Sequence, residues 1–362
     1  MKKMCTLYKG YNHVLSTYKW EYYENSPSLN IGMLSNSCKC KSFIRNCMKA
    51  GGKGNDYLND SLDSLSPSRI KHIVSCFLLG FVFRENISKK DWIDKKLKTL
   101  CHDYSKDWKG EFSYIWMLIC FFHDLGYNVE EGENVIPEED GVFPPQRKSS
   151  VFLPRIYTPE AVSAYEKYRE EKYHVNVDHG IYGGKVCYEK LCEIRRQHDS
   201  SKNTPNNLDN TVMITTMGQK LREDSPQYYW GKPLEKVYAC ISWTIICHNM
   251  FFVQEDTEEA KYYKEHDLGE FVYKKRARKI RLKSSPFLFL LCLVDTLEPI
   301  KKFNTLEVLK YISLDVNKMK IKIDVENTRN IGNLDEWEKY RDSVIGLNDW
   351  LCDFQIDDGA GG

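Results

Sequence analysis

The chain has 362 residues, with 52 Lys+Arg against 51 Asp+Glu for a formal charge of +1, and 42% hydrophobic beside 28% charged residues. That composition is too apolar for wholesale disorder. It also lacks the bulk positive charge of a protein that binds nucleic acid by overall electrostatics, while leaving a local basic patch open. At roughly 150 residues per domain, the length fits one large domain or two modest ones.

Residues 1–65 read as an N-terminal extension packing on the core, Tyr-rich and polar, with turn clusters at SPSLNIG and AGGKGND. A long helix begins at Ser66-Pro67, an N-cap followed by proline at the first helical position, and runs to about Arg84. The next, FSYIWMLICFFHDLG, closes at Gly126, where glycine can take a left-handed cap. Residues 128–157 are rich in Pro, Gly and charge and predict a long loop or lid. Thr158-Pro159-Glu160 restarts a helix, and Asp178 is the N-cap of another, HGIYGGKVCYEKLCEIRRQ. A polar linker over 198–210 follows, then helices over 232–253, 268–283 and 286–302, the last capped by Ser285-Pro286. Residues 312–327 alternate with a period near two and predict a hairpin turning at Asn317. A helix over 334–352 precedes a tail predicted to be disordered. The fold class is therefore all-α. A helical domain spans 66–310, a small C-terminal hairpin/helix appendage spans 311–354, and 355–362 form the tail.

The 13 cysteines are odd in number and scattered through apolar runs, as expected of small buried hydrophobes in a reducing compartment. Cys38 and Cys40 have the wrong spacing for a zinc knuckle. The N-terminus has no apolar stretch of signal-peptide type, and the longest apolar runs, about eight residues, are too short to span a bilayer. A cytoplasmic protein without a membrane partner is expected.

Three helices are apolar on nearly every face, yet each ends in ionisable groups: His123-Asp124, His248 and Asp295. An unpartnered buried carboxylate costs several kcal/mol, so a partner or a cation is required. His72 lies on a fourth apolar helix and His179 opens a fifth. Adjacent His-Asp side chains leave the axis about 100° apart, so the imidazole can hold one ion while the carboxylate bridges to a second. Each residue also has a plainer reading: His72 and His248 as hydrogen-bonded core histidines, Asp295 as a helix end, Asp178 as a structural cap. His13, His102, His174, His198 and His266 fall in polar stretches and carry no role.

The order His72…His123-Asp124…Asp295 resembles the H…HD…D signature of the HD-domain superfamily of metal-dependent phosphohydrolases. His179 and His248 stand where its two-metal members carry additional histidines. The resemblance covers about residues 66–303, in the settings HDLG, DHGIYGG and LVDTLEP. It implies an HD-domain-like bundle in which His72, His123, Asp124 and Asp295 bind a first metal, and Asp124, His179 and His248 a second. Nitrogen and oxygen ligands suit one or two ions of Mn, Fe, Mg, Co, Ni or Zn.

For the substrate, Arg69 shares a helix face with His72 and is a candidate either to hold a phosphate oxygen or to pair with Asp124 or Asp295. Lys185 is a candidate to reach the cleft, and Gly183-Gly184 would allow a ligand or helix to approach closely. The run KKRARKIRLK over 274–283 reads as a solvated helix face or a surface for an anionic ligand. Tyr127 stands where several subfamilies, including the cyclic-di-GMP phosphodiesterase type and myo-inositol oxygenase, carry a lysine, and no Gly-Tyr-Pro motif, Walker loop or GxGxxG pattern occurs. The expected activity is hydrolysis of a small phosphate ester, nucleotide-type by resemblance. Nucleic acid is open but not favoured, and the oligomeric state is undetermined. A di-iron oxygenase and a non-catalytic ligand-sensing protein are the alternatives.

Overall fold

The structure is a computed structural model describing residues 5–17, 30–50, 56–87, 112–130, 142–145, 153–202, 234–277, 279–315, 318–324, 327 and 334–358. It is mainly helical, with small sheets, as the all-α reading requires. No helix among the described residues is long and apolar enough to cross a membrane. Every cysteine among them is free.

The elements in chain order are β1 (Cys5–Thr6), α1 (Leu7–Thr17), α2 (Ser37–Ala50), α3 (Asp56–Ser64), α4 (Pro67–Asn86), α5 (Phe112–Phe122), α6 (Tyr127–Glu130), α7 (Pro159–Tyr173), α8 (His179–Lys202) and α9 (Leu234–Cys247). They continue with β2 (Val253–Gln254), α10 (Glu258–Glu265), β3 (Val272–Tyr273), α11 (Pro286–Leu297), α12 (Ile300–Phe303), β4 (Ile312–Asp315), β5 (Lys320–Ile323), α13 (Leu334–Trp350) and β6 (Gln355–Asp357).

Helices α4, α5, α9 and α11 form the apolar centre. Between Phe112 and Phe122 every residue of α5 but Ser113 is buried, and α9 is buried along nearly its whole length. Ser66 accepts the Arg69 N–H at 3.4 Å, so α4 starts where its cap and proline place it. Ser285 stands at the N-cap position of α11, but its hydroxyl makes no capping bond there.

Local chemistry explains where expectation and structure part. The helix expected over 286–302 breaks after Leu297, because Glu298 precedes Pro299 and adopts extended backbone (φ −73°, ψ 117°). Helix α8 runs on to Lys202, taking up the start of the expected linker; the rest of that linker lies outside the described residues. Most of the predicted lid lies outside them too, apart from α6 and residues 142–145 and 153–157. There Phe143 stacks on Trp243, whose indole N–H donates to the Pro144 carbonyl.

The helix predicted over 268–283 does not form. After a short 3-10 turn and β3 the described residues run through bends to a bridge between Ile280 and Leu351 and then a turn in which the Ser285 N–H donates to the Arg281 carbonyl at 2.8 Å, with Ile280 and Leu282 buried while Lys279, Arg281 and Lys283 are exposed. Like charges four residues apart disfavour a helix there.

The predicted hairpin is present, pairing Ile312 with Ile323 and Leu314 with Ile321, though Asn317 falls outside the described residues. It is the middle of a four-stranded sheet ordered β1-β4-β5-β6. Strand β1 pairs antiparallel to β4, and β6 runs parallel to β5. Residues 355–357, predicted as disordered tail, are therefore a strand, and the two ends of the chain meet in one sheet. Tyr340 of α13 donates to the Leu297 carbonyl at 2.6 Å, tying this region to the end of α11.

Helices α8 and α9 are packed closely. A Cβ on Gly184 would lie 2.7 Å from the Ser242 carbonyl oxygen and 2.5 Å from an Ile246 carbon. One on Gly183 would lie 2.4 Å from the Phe122 carbonyl oxygen. The close approach expected at this glycine pair is made by neighbouring helices. Gly184→Ala is expected to cost about 1–3 kcal/mol, read as a lower melting temperature in thermal denaturation.

Candidate metal centre

Five elements deliver the polar groups to one place. Helix α4 supplies Arg69, His72 and, a turn further on, Ser75 and Cys76. The turn after α5 supplies His123 and Asp124; α8 opens with His179; His248 follows α9; and α11 carries Asp295. His72, His123 and Asp124 are fully buried, His248 and His179 nearly so, and Asp295 is 21% exposed. Gly126 is not in the left-handed conformation expected of a cap. It is needed for another reason: a Cβ there would lie 2.2 Å from the His179 carbonyl oxygen, so only glycine lets the start of α8 press against the His-Asp turn.

The orientation of each imidazole is fixed through Nδ1. His123 and His248 donate from Nδ1 to the carbonyls of Cys120 (2.7 Å) and Ile245 (2.6 Å), and a carbonyl can only accept. His72 Nδ1 bonds Glu298 at 2.6 Å, and His179 Nδ1 bonds Glu130. His72, His123 and His248 are therefore left with Nε2 for other work, the arrangement metal-ligating histidines adopt, while His179 Nε2 lies within hydrogen-bond distance of the Asn249 amide. The rings form a continuous row, with centroids 5.4 Å apart for His72–His123, 5.6 Å for His123–His248 and 5.6 Å for His248–His179.

Nε2 of His72 lies 2.9 Å from Asp295 Oδ1 and 3.3 Å from Nε2 of His123, which is itself 3.6 Å from Asp295. Asp124 faces the same space, 3.7 Å from His72 and 3.5 Å from His123. Neither Asp124 oxygen, nor His248 Nε2, has a hydrogen-bond partner among the described residues, although all three atoms are buried. Buried polar atoms left so are rare, and a cation among them is the simplest way to satisfy a carboxylate and an imidazole lone pair together. The group His72, Cys76, His123 and Asp295 brings ligand atoms within 4.8 Å of one another and can hold a metal ion.

Electrostatics agree with a site for positive charge. Burial would raise the Asp124 carboxyl, but Lys301, His123 and His72 outweigh it and hold it well below the usual carboxylate range. Asp295 is held down in the same way, by Lys301, His123 and His72. Burial works against a charged His72, yet Asp124, Asp295 and Glu298 more than offset it and raise the imidazole to about 9. Burial, with His123 and His179 beside it, lowers His248 to about 4. Burial also raises the Cys76 thiol well above its ordinary value.

The structure places two further predicted residues differently. Arg69 pairs with Asp124 at 3.4 Å, one of its two expected uses, and its guanidinium lies 3.1 Å over the Tyr127 ring. Tyr127 in turn stacks on His179, 3.5 Å between centroids, making a three-layer edge to the site. Lys185 does not join the cleft: it pairs with Glu166 at 3.0 Å and lies 4.4 Å from the centre of the Phe143 ring. Six residues past His179 on a helix is about one and two-thirds turns, which aims the side chain away from His179.

Several contributors escaped the sequence reading. Lys301 stands 3.7 Å from Asp124, 3.9 Å from Asp295 and 3.2 Å from the Tyr127 hydroxyl. Glu298 is buried and accepts from Ser75 (2.6 Å) and the Ile300 N–H (2.9 Å) besides holding His72. Glu130 accepts from the His179 N–H and from Arg169. Asn249 donates to His179 Nε2 at 2.8 Å. Asp178 caps α8 as expected, through the Gly180 and Ile181 N–H groups. A glutamate in LEP, three residues after the last apolar-helix aspartate, was the available signal for Glu298; for the others only the fold brings them in.

In comparisons with family profiles, curated proteins and solved structures, none matches this chain.

A ligand to a metal must give up its proton. His72 carries one below about 9, whereas the carboxylates are already ionised near neutrality. Loading Mn²⁺ into metal-free protein is therefore expected to release protons and to tighten as pH rises from about 6.5 toward 9, read by calorimetry in buffers of different ionisation enthalpy. Glu298→Gln, which removes the charge behind His72, is expected to weaken Mn²⁺ binding about 10- to 100-fold in the same titration.

Proposed function

We propose that this chain is a metal-dependent phosphohydrolase of HD type, acting in the cytoplasm on a small phosphate ester of nucleotide type. One observation carries the reading most: four histidines pinned through Nδ1 form a row beside Asp124, whose buried oxygens make no hydrogen bond among the described residues and only the ion pairs with Arg69 and Lys301 beside the imidazoles. Asp124 is the natural shared ligand. His72, His123 and Asp295 complete a first position, and His248 and His179 offer a second. Mn, Fe, Co, Ni, Mg and Zn all suit nitrogen and oxygen donors of this kind.

When bound, such ions lower the pKa of water and neutralise charge on phosphoryl oxygens. The protein's own residues complete the chemistry. Arg69 and Lys301, both beside Asp124 and the second also 3.9 Å from the partly exposed Asp295, would hold phosphoryl oxygens. Charge placed there in advance is worth more in a water-poor site than in solvent. The Tyr127 ring, held between Arg69 and His179, shields that edge from water.

The test joins metal analysis of protein purified without chelator to phosphate release from a panel of nucleotide mono- and diesters with Mn²⁺. Hydrolysis is expected, and Asp124→Ala is expected to lower its rate by about 100-fold or more with loss of bound metal. Iron with a mixed-valence EPR signal and oxygen uptake would point to the di-iron oxygenase instead. A wild type without metal or turnover would point to a ligand sensor.

A further inference from the structure

The basic run that the sequence reads as a helix face is a surface strip of bends, a single bridge and a turn. Of its described cations, Lys274 pairs with Glu255 at 3.5 Å and Lys279 with Glu270 at 3.8 Å. Lys275, Arg276, Arg281 and Lys283 are exposed and make no ion pair among the described residues. A chain of net charge +1 thus carries, on one short segment, four cations without an ion pair among the described residues.

That strip lies across the end of α13. Ile280 donates to the Trp350 carbonyl at 3.2 Å and accepts from the Cys352 N–H at 3.0 Å. Phe251, 44% exposed, sets its ring edge-to-face on Trp350 at 5.6 Å between centroids. Beside them opens a cavity of about 470 Å³, with Arg276 and Lys318 among its walls. Its acid, Asp353, already accepts the Leu282 N–H at 2.6 Å. Unpaired cations, an exposed aromatic ring and a cavity with two basic residues in its wall therefore gather around the end of α13.

We infer that this face binds single-stranded nucleic acid, with the phosphates along the basic strip and a base on Phe251. Lys275, Arg276, Arg281 and Lys283 offer phosphates four exposed cations that no carboxylate among the described residues already holds. An exposed ring gives any base a stacking surface without reading its identity. A membrane would need apolar groups pointing out, whereas Ile280 and Leu282 of the strip point in, at 0% and 5% exposure. This binding stands independently of whether the metal centre hydrolyses phosphate.

The experiment is fluorescence anisotropy of the full chain in EDTA, where no turnover interferes, with labelled oligothymidylate and oligouridylate of about twenty nucleotides. Wild type is expected to bind both, with log affinity falling against log salt at a slope of about −3 over ~50–200 mM, four contacts at ~0.7 each. The variant Lys275→Glu, Arg276→Glu, Arg281→Glu, Lys283→Glu is expected to lose at least tenfold in affinity and to flatten that slope. Phe251→Ala is expected to lose about tenfold while keeping the slope. Circular dichroism checks that both variants fold. Absence of binding by wild type at the lowest salt, or wild-type affinity in the four-charge variant, overturns the proposal. So does binding to phosphatidylserine vesicles in preference to either oligonucleotide.

Discussion

Four imidazole rings in an apolar interior are held by what their Nδ1 atoms touch: two backbone carbonyls, Glu298 and Glu130. A carbonyl at the end of a helix cannot donate, so it dictates which ring nitrogen carries the proton. The other nitrogen then has no choice but to face inward. Around that geometry the rest of the centre is arranged. Asp124 enters the same space with two oxygens that no described donor satisfies, and Lys301, His72 and His123 keep it charged there. Removing any anchor would free a ring to turn, and the row would lose its common direction.

The helices exist in part to make this possible. Helices α5, α9 and α11 are apolar on nearly all faces because they are surrounded, and each ends where its polar residues begin. A helix end is the one place in a buried helix with free carbonyls to receive an imidazole N–H. His123 and His248 use that supply three residues back, at Cys120 and Ile245. Glu298 does double work at the end of α11, taking up the Ile300 N–H of the next turn and His72 from across the core. Fold and site are joined in these bonds.

Charge is distributed differently at the histidine centre and along the basic run. At the centre Arg69 is balanced by Asp124, Lys301 by Asp124 and Asp295, and Arg169 by Glu130. Along the basic run Lys275, Arg276, Arg281 and Lys283 are exposed and make no ion pair among the described residues. The first pattern suits a small charged group held in a low-dielectric pocket. The second suits a long polyanion that sheds counterions as it binds.

The sequence by itself determined the apolar helices, their starts at Ser66-Pro67 and Asp178, the hairpin, and the candidates His72, His123, Asp124, His179, His248 and Asp295 on or beside those helices. These follow from local rules, caps, periodicity and the cost of leaving an ionisable group in an apolar helix, whereas that the six would meet was implied by the resemblance to the HD-domain superfamily. Only the tertiary structure decided what lies opposite them. Lys185 and Glu166, Lys301 and Asp124, or the terminal strand β1 and β4, are far apart or unremarkable along the chain, and their pairing depends on how the helices rotate and cross. The basic run shows the same limit from the other side. Its charges were plain in the sequence, but its non-helical backbone goes with bridging to the end of α13 and burying Ile280 and Leu282, contacts that a reading of local propensity does not contain.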